Sequence, residues 1–443
     1  MTAAPHAAGP SGRGITGNLR AFAKDPLDFL TRTANEFGPV SALRFGRSRA
    51  YLVSDPAMIE EVFVRKRLDF IKAGPIRAQR RLFGRGLLVN EGDSWARQRR
   101  LAQPAFHPGK LGPYIPAIAS HAHQMLDRWK SHSVIDVHEE MKNLLMRVAS
   151  ESLFGPEVAP HAAAIGAAVE AAMDRYAARR GAARLLPDWV PLEDSRRYVT
   201  GVAELDRFVK ETVSTRRAGA SPRSDLLQTL LDARDESGRL MSESQIRDEA
   251  INLFVGGFDT PALSLSWTWY LLSSHQDSAV RLAEEVAEVL GDDRVPTLED
   301  LPRLKFTQKV LKESMRLYPP AWLLGREAVN DTEVGGVRIR KGETILISQW
   351  VMHRSEAYFD DPLAFRPERW DGDLSLPRFV YFPFGAGPRV CIGAAFATLE
   401  CAFVIALIAR RFRFAMATGS PIVPQATMTL RPRGGMPGRV IAR

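Results

Sequence analysis

Helical periodicity dominates the middle of this chain and constrains its fold more than any other feature. Apolar residues recur at helical spacing over Trp95–Gln103, Ile115–Trp129, Val137–Leu153, His161–Arg179, Asp194–Arg217, Asp225–Ala233, Glu243–Leu272, Ser278–Leu290 and Phe306–Tyr318. A further long helix is predicted over Ile392–Arg410. Strand patterns are confined to the two ends. Val40–Phe45 and Arg49–Val53 flank Gly46-Arg47-Ser48 and read as a hairpin. A short helix starts after Asp55-Pro56, over Met58–Val64. After Tyr318 the texture turns Pro-, Gly- and Asp-rich, with strand-like pieces at Thr332–Arg340 and Glu343–Gln349 and a β-rich tail. The fold class is therefore mainly α with a smaller β region (α+β).

Length would allow about three domains, but no Gly/Pro-rich linker divides the 443 residues. The reading is a loose, flexible tail over 1–20 and one domain over 21–443. Cys391 and Cys401 are the two cysteines, too few for a disulfide framework or a multi-cysteine zinc site. The N-terminus lacks the apolar core of a signal peptide. Phe396–Ala409 is interrupted by Glu400 and too short to cross a bilayer, so a soluble cytoplasmic protein is expected. Lys plus Arg exceed Asp plus Glu by 60 − 51 = 9, which suits an acidic partner or simple solubility.

Cys391 lies in Phe382-Pro-Phe-Gly-Ala-Gly-Pro-Arg-Val-Cys391-Ile-Gly-Ala-Ala-Phe396, just before the last long helix. The helix dipole and unpaired N–H groups there favour a thiolate. Gly385, Gly387 and Gly393 let the backbone turn tightly around the sulfur. Such a thiolate could be a nucleophile, a redox sensor or the axial ligand of a haem iron. The full pattern Phe384-x-x-Gly387-x-Arg389-x-Cys391-x-Gly393 resembles the haem-ligand signature of the cytochrome P-450 superfamily, in its soluble bacterial form. Cys401 sits mid-helix with no glycine nearby and reads as a packed core thiol.

Three further motifs follow in the order that resemblance requires. Glu313 and Arg316 are i, i+3 on a helix ended by Pro319-Pro320, and Arg369 follows in Phe-Arg-Pro-Glu-Arg-Trp. The resemblance makes Glu313, Arg316 and Arg369 a buried structural triad that locks the cysteine loop. Gly256-Gly257-Phe258-Asp259-Thr260-Pro261 interrupts an apolar helix; two glycines and a proline predict a kink or widening with free carbonyls. By resemblance this is the oxygen-binding groove of the long I helix over the haem, with Asp259 and Thr260 relaying protons. Trp95 and Arg99 are i, i+4 on one face. The resemblance aims Trp95, Arg99, Arg326 and Arg389 at the two haem propionates. Phe384 would pack near the sulfur of Cys391, and Gly393 completes the loop. His353 is unassigned and reads as structural.

What the resemblance implies is a haem b monooxygenase that inserts one atom of dioxygen into a C–H bond or double bond of a lipophilic molecule, in secondary metabolism. Electrons come from NAD(P)H through a separate ferredoxin or flavodoxin with its reductase; no nucleic acid or membrane anchor is involved, and the protein is a monomer. Seven arginines between Arg77 and Arg100, against Glu91 and Asp93, suggest a basic docking face. Family position places Leu88, Phe254, Gly256, Leu323 and Met428 in an apolar pocket, favouring terpenoid or fatty-acyl substrates. The apolar loop Leu185–Pro191 is read as a lid. The rival readings are a peroxide-driven peroxygenase on the same fold, against which Asp259 and Thr260 argue, a non-catalytic haem-thiolate binding protein, and a haem-free cysteine nucleophile.

Overall fold

A computed structural model describes residues 7–155, 166, 193–219, 225–291, 294–372, 374–417 and 421–443. Apart from Gly166, the expected helix 161–179 lies outside these residues, as does the loop 185–191. The described chain packs as two compact units, each built from two separated segments: Met1–Ala78 with Met315–Cys391, and Gln79–Ser314 with Ile392–Arg443.

The first unit carries a five-stranded sheet in the order Val40–Phe45, Ser48–Val53, Thr344–Ile347, Leu324–Ala328, Phe70–Lys72. The predicted hairpin is its first pair, with Val40 opposite Val53 and Phe45 opposite Ser48. Gly46, with φ +63°, supplies the turn. Ser48–Val53 then pairs in parallel with Thr344–Ile347, which lies almost three hundred residues away in sequence. Thr332–Arg340 is not one strand. It folds as Thr332–Val334 against Val337–Ile339, because Gly335 and Gly336 both take positive φ and reverse the chain. Glu343–Gln349 likewise gives a strand only over Thr344–Ile347; Ser348 then caps a short helix Gln349–Met352 by accepting from the Val351 N–H. Residues 8–20, expected to be loose, run beside the first strand. The Ala42 N–H donates to Ala8 O, the Arg44 N–H to Asn18 Oδ1, and the Arg44 guanidinium to Gly14 O.

The second unit is helical around one element, Glu243–Ser274. Its 32 residues span about 48 Å. It starts in a capping box: Ser242 Oγ accepts from the Gln245 N–H, and Gln245 Oε1 accepts from the Ser242 N–H. Apolar side chains cover it on every side, which a helix needs when it is buried all round. Val137–Phe154, Glu193–Arg217 and Ala394–Arg411 pack against it. Ala394–Arg411 is almost wholly buried and also meets Ile115–Arg128 and Gln276–Leu290. The helix expected from Ile392 thus begins at Ala394, with Gly393 as its N-cap. A three-stranded sheet of Val134–Asp136, Pro437–Ala442 and Phe412–Met416 closes this unit's chain ends.

Candidate active site

The cysteine loop is held by its own backbone. The Cys391 N–H donates to Phe384 O at 2.9 Å, the Gly385 N–H to Phe382 O at 2.9 Å and the Val390 N–H to Gly387 O at 3.0 Å. Gly385 and Gly387 have φ +73° and +66°. A Cβ on Gly387 would lie 2.2 Å from Phe63 O, so this glycine is required twice over. Gly393 differs: its φ is −88°, and a Cβ there would meet only Phe106 at 3.9 Å. Its expected turning role is therefore not needed by the backbone. The loop leaves Cys391 exposed and free, while Phe384 is half-buried.

His353, unassigned from the sequence, anchors this loop. It is fully buried, and its Nε2 accepts the Phe382 N–H at 3.0 Å. An accepting Nε2 requires the neutral ring with its proton on Nδ1. Burial, reinforced by the Arg316 charge, lowers the imidazole to about 3, in keeping with that tautomer. Arg316 is fully buried too and donates to the carbonyls of His353 (2.8 Å), Pro362 (2.6 Å) and Ala364 (3.0 Å). Arg369 reaches the same turn through Asp360 O, Asp361 O and Ala364 O. Two of the three predicted triad members thus converge on residues 360–364 and share one carbonyl. Glu313 is fully buried one turn before Arg316 on the helix Lys305–Leu317.

In the second unit the long helix runs unbroken through Pro261, so the expected kink is not a break. Pro261 only withholds the N–H that Gly257 O would accept. The notch is lined by missing side chains: a Cβ on Gly256 would meet nothing within 4 Å, and one on Gly257 only Ala149 Cβ at 3.8 Å. Thr260 is half-buried and its Oγ1 donates to Gly256 O at 3.1 Å. Asp259 is 3% exposed and is clamped. Arg431 donates to Oδ1 at 2.5 Å and Thr429 Oγ1 to Oδ2 at 3.2 Å. Arg431 also donates through Nε to Thr429 Oγ1, at 3.3 Å. Sequence reasoning missed both partners, because nothing local links residues 170 positions apart.

The remaining predicted residues divide. Arg326 is buried, with its guanidinium over the Phe63 ring at 4.9 Å. Trp95 and Arg99 are half-buried on the helix Gly92–Ala102, and Arg389 ends the 3-10 turn Gly387–Arg389. Leu88, Leu323 and Met428 are half-buried, as pocket walls would be. Phe254 is a correction: it is fully buried between Phe154 and Phe258 and is core, because its position on the helix faces Val137–Phe154. The basic run is also less free than its charge suggested. Arg77 pairs with Glu327 and Arg97 with Asp235 at 2.7 Å, while Arg100 remains exposed, 3.6 Å from Glu236. Cys401 is a core thiol, buried 3.8 Å from Pro261 O and pushed well up by burial and the neighbouring Glu400.

A glycine-turned loop offering one exposed cysteine, and a buried helix bared by two glycines beside an acid and an alcohol, define a haem-thiolate oxygenase. A sequence model of cytochrome P-450 matches residues 8–436, and the chain belongs to that family. It is 34% identical to cyclooctatin synthase of Streptomyces melanosporofaciens, over 96% of this chain and 93% of that one. It is 35% identical to cyclooctat-9-en-7-ol 5-monooxygenase of the same organism, over 92% and 89%. Pentalenene oxygenase of Streptomyces avermitilis is 30% identical, over 94% and 93%. Among solved structures, retinoic acid-bound cyanobacterial CYP120A1 shares the fold with a TM-score of 0.90 over both whole chains at 22% identity. The protein is an oxidoreductase of the monooxygenase class, and haem is the group its family implies. Among the described residues no helix is long and apolar enough to cross a membrane.

Proposed function

We propose that the protein uses haem b, ligated by Cys391, to oxygenate a lipophilic terpenoid. The observation that carries this is the exposed Cys391 at the end of a loop whose backbone is fully pre-set. The residues present fit the group: a free thiol, bare backbone at Gly256 and Gly257, and a buried cation at Arg326. The terpenoid class rests on relatives that modify terpenoids and on the half-buried apolar side chains Leu88, Leu323 and Met428.

When bound, the haem supplies the dioxygen chemistry by which one oxygen atom enters the substrate. Cys391 would hold the iron; Trp95, Arg99, Arg326 and Arg389 would hold the propionates. His353, Arg316 and Arg369 keep the loop rigid, so the sulfur is positioned before the haem arrives. Thr260 uses its hydroxyl hydrogen on Gly256 O, which leaves Oγ1 lone pairs facing away from the helix to accept a hydrogen bond. Asp259 carries the proton on a carboxyl oxygen. To deliver it, Oδ1 must leave Arg431, so the clamp sets the rate at which that oxygen turns toward Thr260. Electrons would come from NAD(P)H through a ferredoxin or flavodoxin and its reductase, with exposed Arg100 on the docking side.

The test is the carbon monoxide difference spectrum of the reduced protein. A red-shifted Soret band that is lost in Cys391→Ala is expected; a band that survives the substitution refutes the ligand. Titration with a panel of terpenoids and fatty acids then reads the spin-state shift of the iron. A response confined to fatty acids would overturn the substrate class.

A further inference from the structure

The segment after the helix Arg80–Phe83 has no regular structure, yet its N–H groups are not left to water. The Arg85 N–H donates to Asp248 Oδ2 at 2.7 Å, the Leu87 N–H to Glu249 Oε2 at 3.1 Å and the Leu88 N–H to Asn252 Oδ1 at 3.0 Å. In return, Asn252 Nδ2 donates to Phe83 O at 3.0 Å. All three acceptors come from the first half of the long helix. The glycines make the approach possible. A Cβ on Gly84 would lie 1.9 Å from Asp248 Oδ1, and one on Gly86 2.0 Å from Asn252 Nδ2. Arg247 extends the network, donating to Asp248 Oδ1, Leu82 O and, on the helix Glu193–Arg217, Asp206.

This arrangement is costly if folding is its only purpose. Glu249 is fully buried, and its Oε1 has no hydrogen-bond partner among the described residues. Burial raises its carboxyl to about 8, so it is a neutral acid at pH 7. A hydrophobic side chain at residue 249 would pack without that orphan oxygen, but it would release the Leu87 N–H.

We propose that Asp248, Glu249 and Asn252 form a clasp that fixes the segment Gly84–Leu88, and are positioning residues that set how far Leu88 reaches toward the substrate. The inference deepens the reading above and rests on Leu88 being a pocket wall. It separates two jobs on one helix: the turn around Thr260 handles protons, and the turns two and three positions earlier in space shape the pocket.

The clasp is tested in the haem-loaded protein by hydrogen–deuterium exchange over a peptide containing residues 85–88. In Asn252→Ala the peptide should exchange about tenfold faster, the worth of one lost hydrogen bond to a buried partner. Peptides from Val137–Phe154 should not change. Glu249→Gln, which keeps an oxygen acceptor and mimics the neutral acid, should behave as wild type, and Glu249→Ala should not. The second readout compares imidazole with 1-phenylimidazole as iron ligands, by Soret shift. Asn252→Ala should change the 1-phenylimidazole dissociation constant about fourfold, as for one methylene of apolar contact, and leave that of imidazole alone. Gly86→Ala, which forces the segment away from the other side, should reproduce both effects if Asn252→Ala does not fold. Unchanged exchange, or parallel shifts for the two azoles, would overturn the proposal. Exchange reads the clasp and the carbon monoxide spectrum reads the haem, so either can fail without the other.

Discussion

Replacing His353 by leucine removes the acceptor for the Phe382 N–H while roughly keeping side-chain volume. That N–H is buried at the root of the cysteine loop, 3.0 Å from Nε2. Leaving it unpaired costs about 1–3 kcal/mol, a factor of roughly 5 to 150 in the local equilibrium between the ordered loop and a displaced one. The loop presents Cys391, so the displaced state is read as loss of the thiolate-type carbon monoxide band in favour of the band of a protein without thiolate ligation. His353→Gln, which can still accept, should lose less. Acid gives an independent check. The imidazole sits at about 3 in the folded protein against an ordinary 6.5. The folded state therefore refuses a proton that the unfolded chain takes up. Stability is fully present above pH 6.5 and falls by about 1.4 kcal/mol per pH unit between 6.5 and 3 from this group alone. Wild type should lose the thiolate band on acidification within that window, and His353→Gln should lose it less steeply. A His353→Leu protein with a wild-type spectrum, melting temperature and acid profile would refute the anchoring role.

Other substitutions separate the remaining roles. Arg431→Gln leaves the carboxylate of Asp259, 3% exposed, with Thr429 alone; with Arg431 one-fifth exposed the cost should be about 2–3 kcal/mol. At about 0.9 kcal/mol per degree for 443 residues, melting drops by about 3 °C, and Asp259→Asn in the same chain should recover most of it. Phe254→Ala should cost about 3–5 kcal/mol as a core truncation and leave the product pattern intact, whereas Leu88→Ala should alter the products at little cost in stability. Arg100→Gln should slow reduction by a ferredoxin at low salt, while Arg97→Gln, which breaks the pair with Asp235, should show chiefly in the melting temperature.

Much of the fold was legible because it is local. Helices are fixed by contacts three and four residues apart, so the ranges from Gly92–Ala102 to Ala394–Arg411 fall within a few residues of expectation. Errors came where a turn overrode a strand pattern, as at Gly335-Gly336, or where a polar tail found partners on an edge strand, as Arg44 did with Gly14. The site divides in the same way. Gly387, Cys391, Asp259 and Thr260 stand in short motifs whose spacing carries the chemistry. Arg431, His353 and the clasp at Asp248, Glu249 and Asn252 carry no local signal at all.

The sequence by itself determined the class of fold, the cysteine offered to the iron and the acid–alcohol pair, since each depends on neighbours a few residues away. Tertiary structure alone decided which charges are free and which are taken. Arg97 looked like a docking cation and is an internal partner; Phe254 looked like a pocket wall and is core; His353 looked incidental and holds the loop. The physical reason is common to all three. A side chain's role depends on whether it is desolvated and on what faces it there. For these residues the partners lie from 29 to more than 130 positions away along the chain.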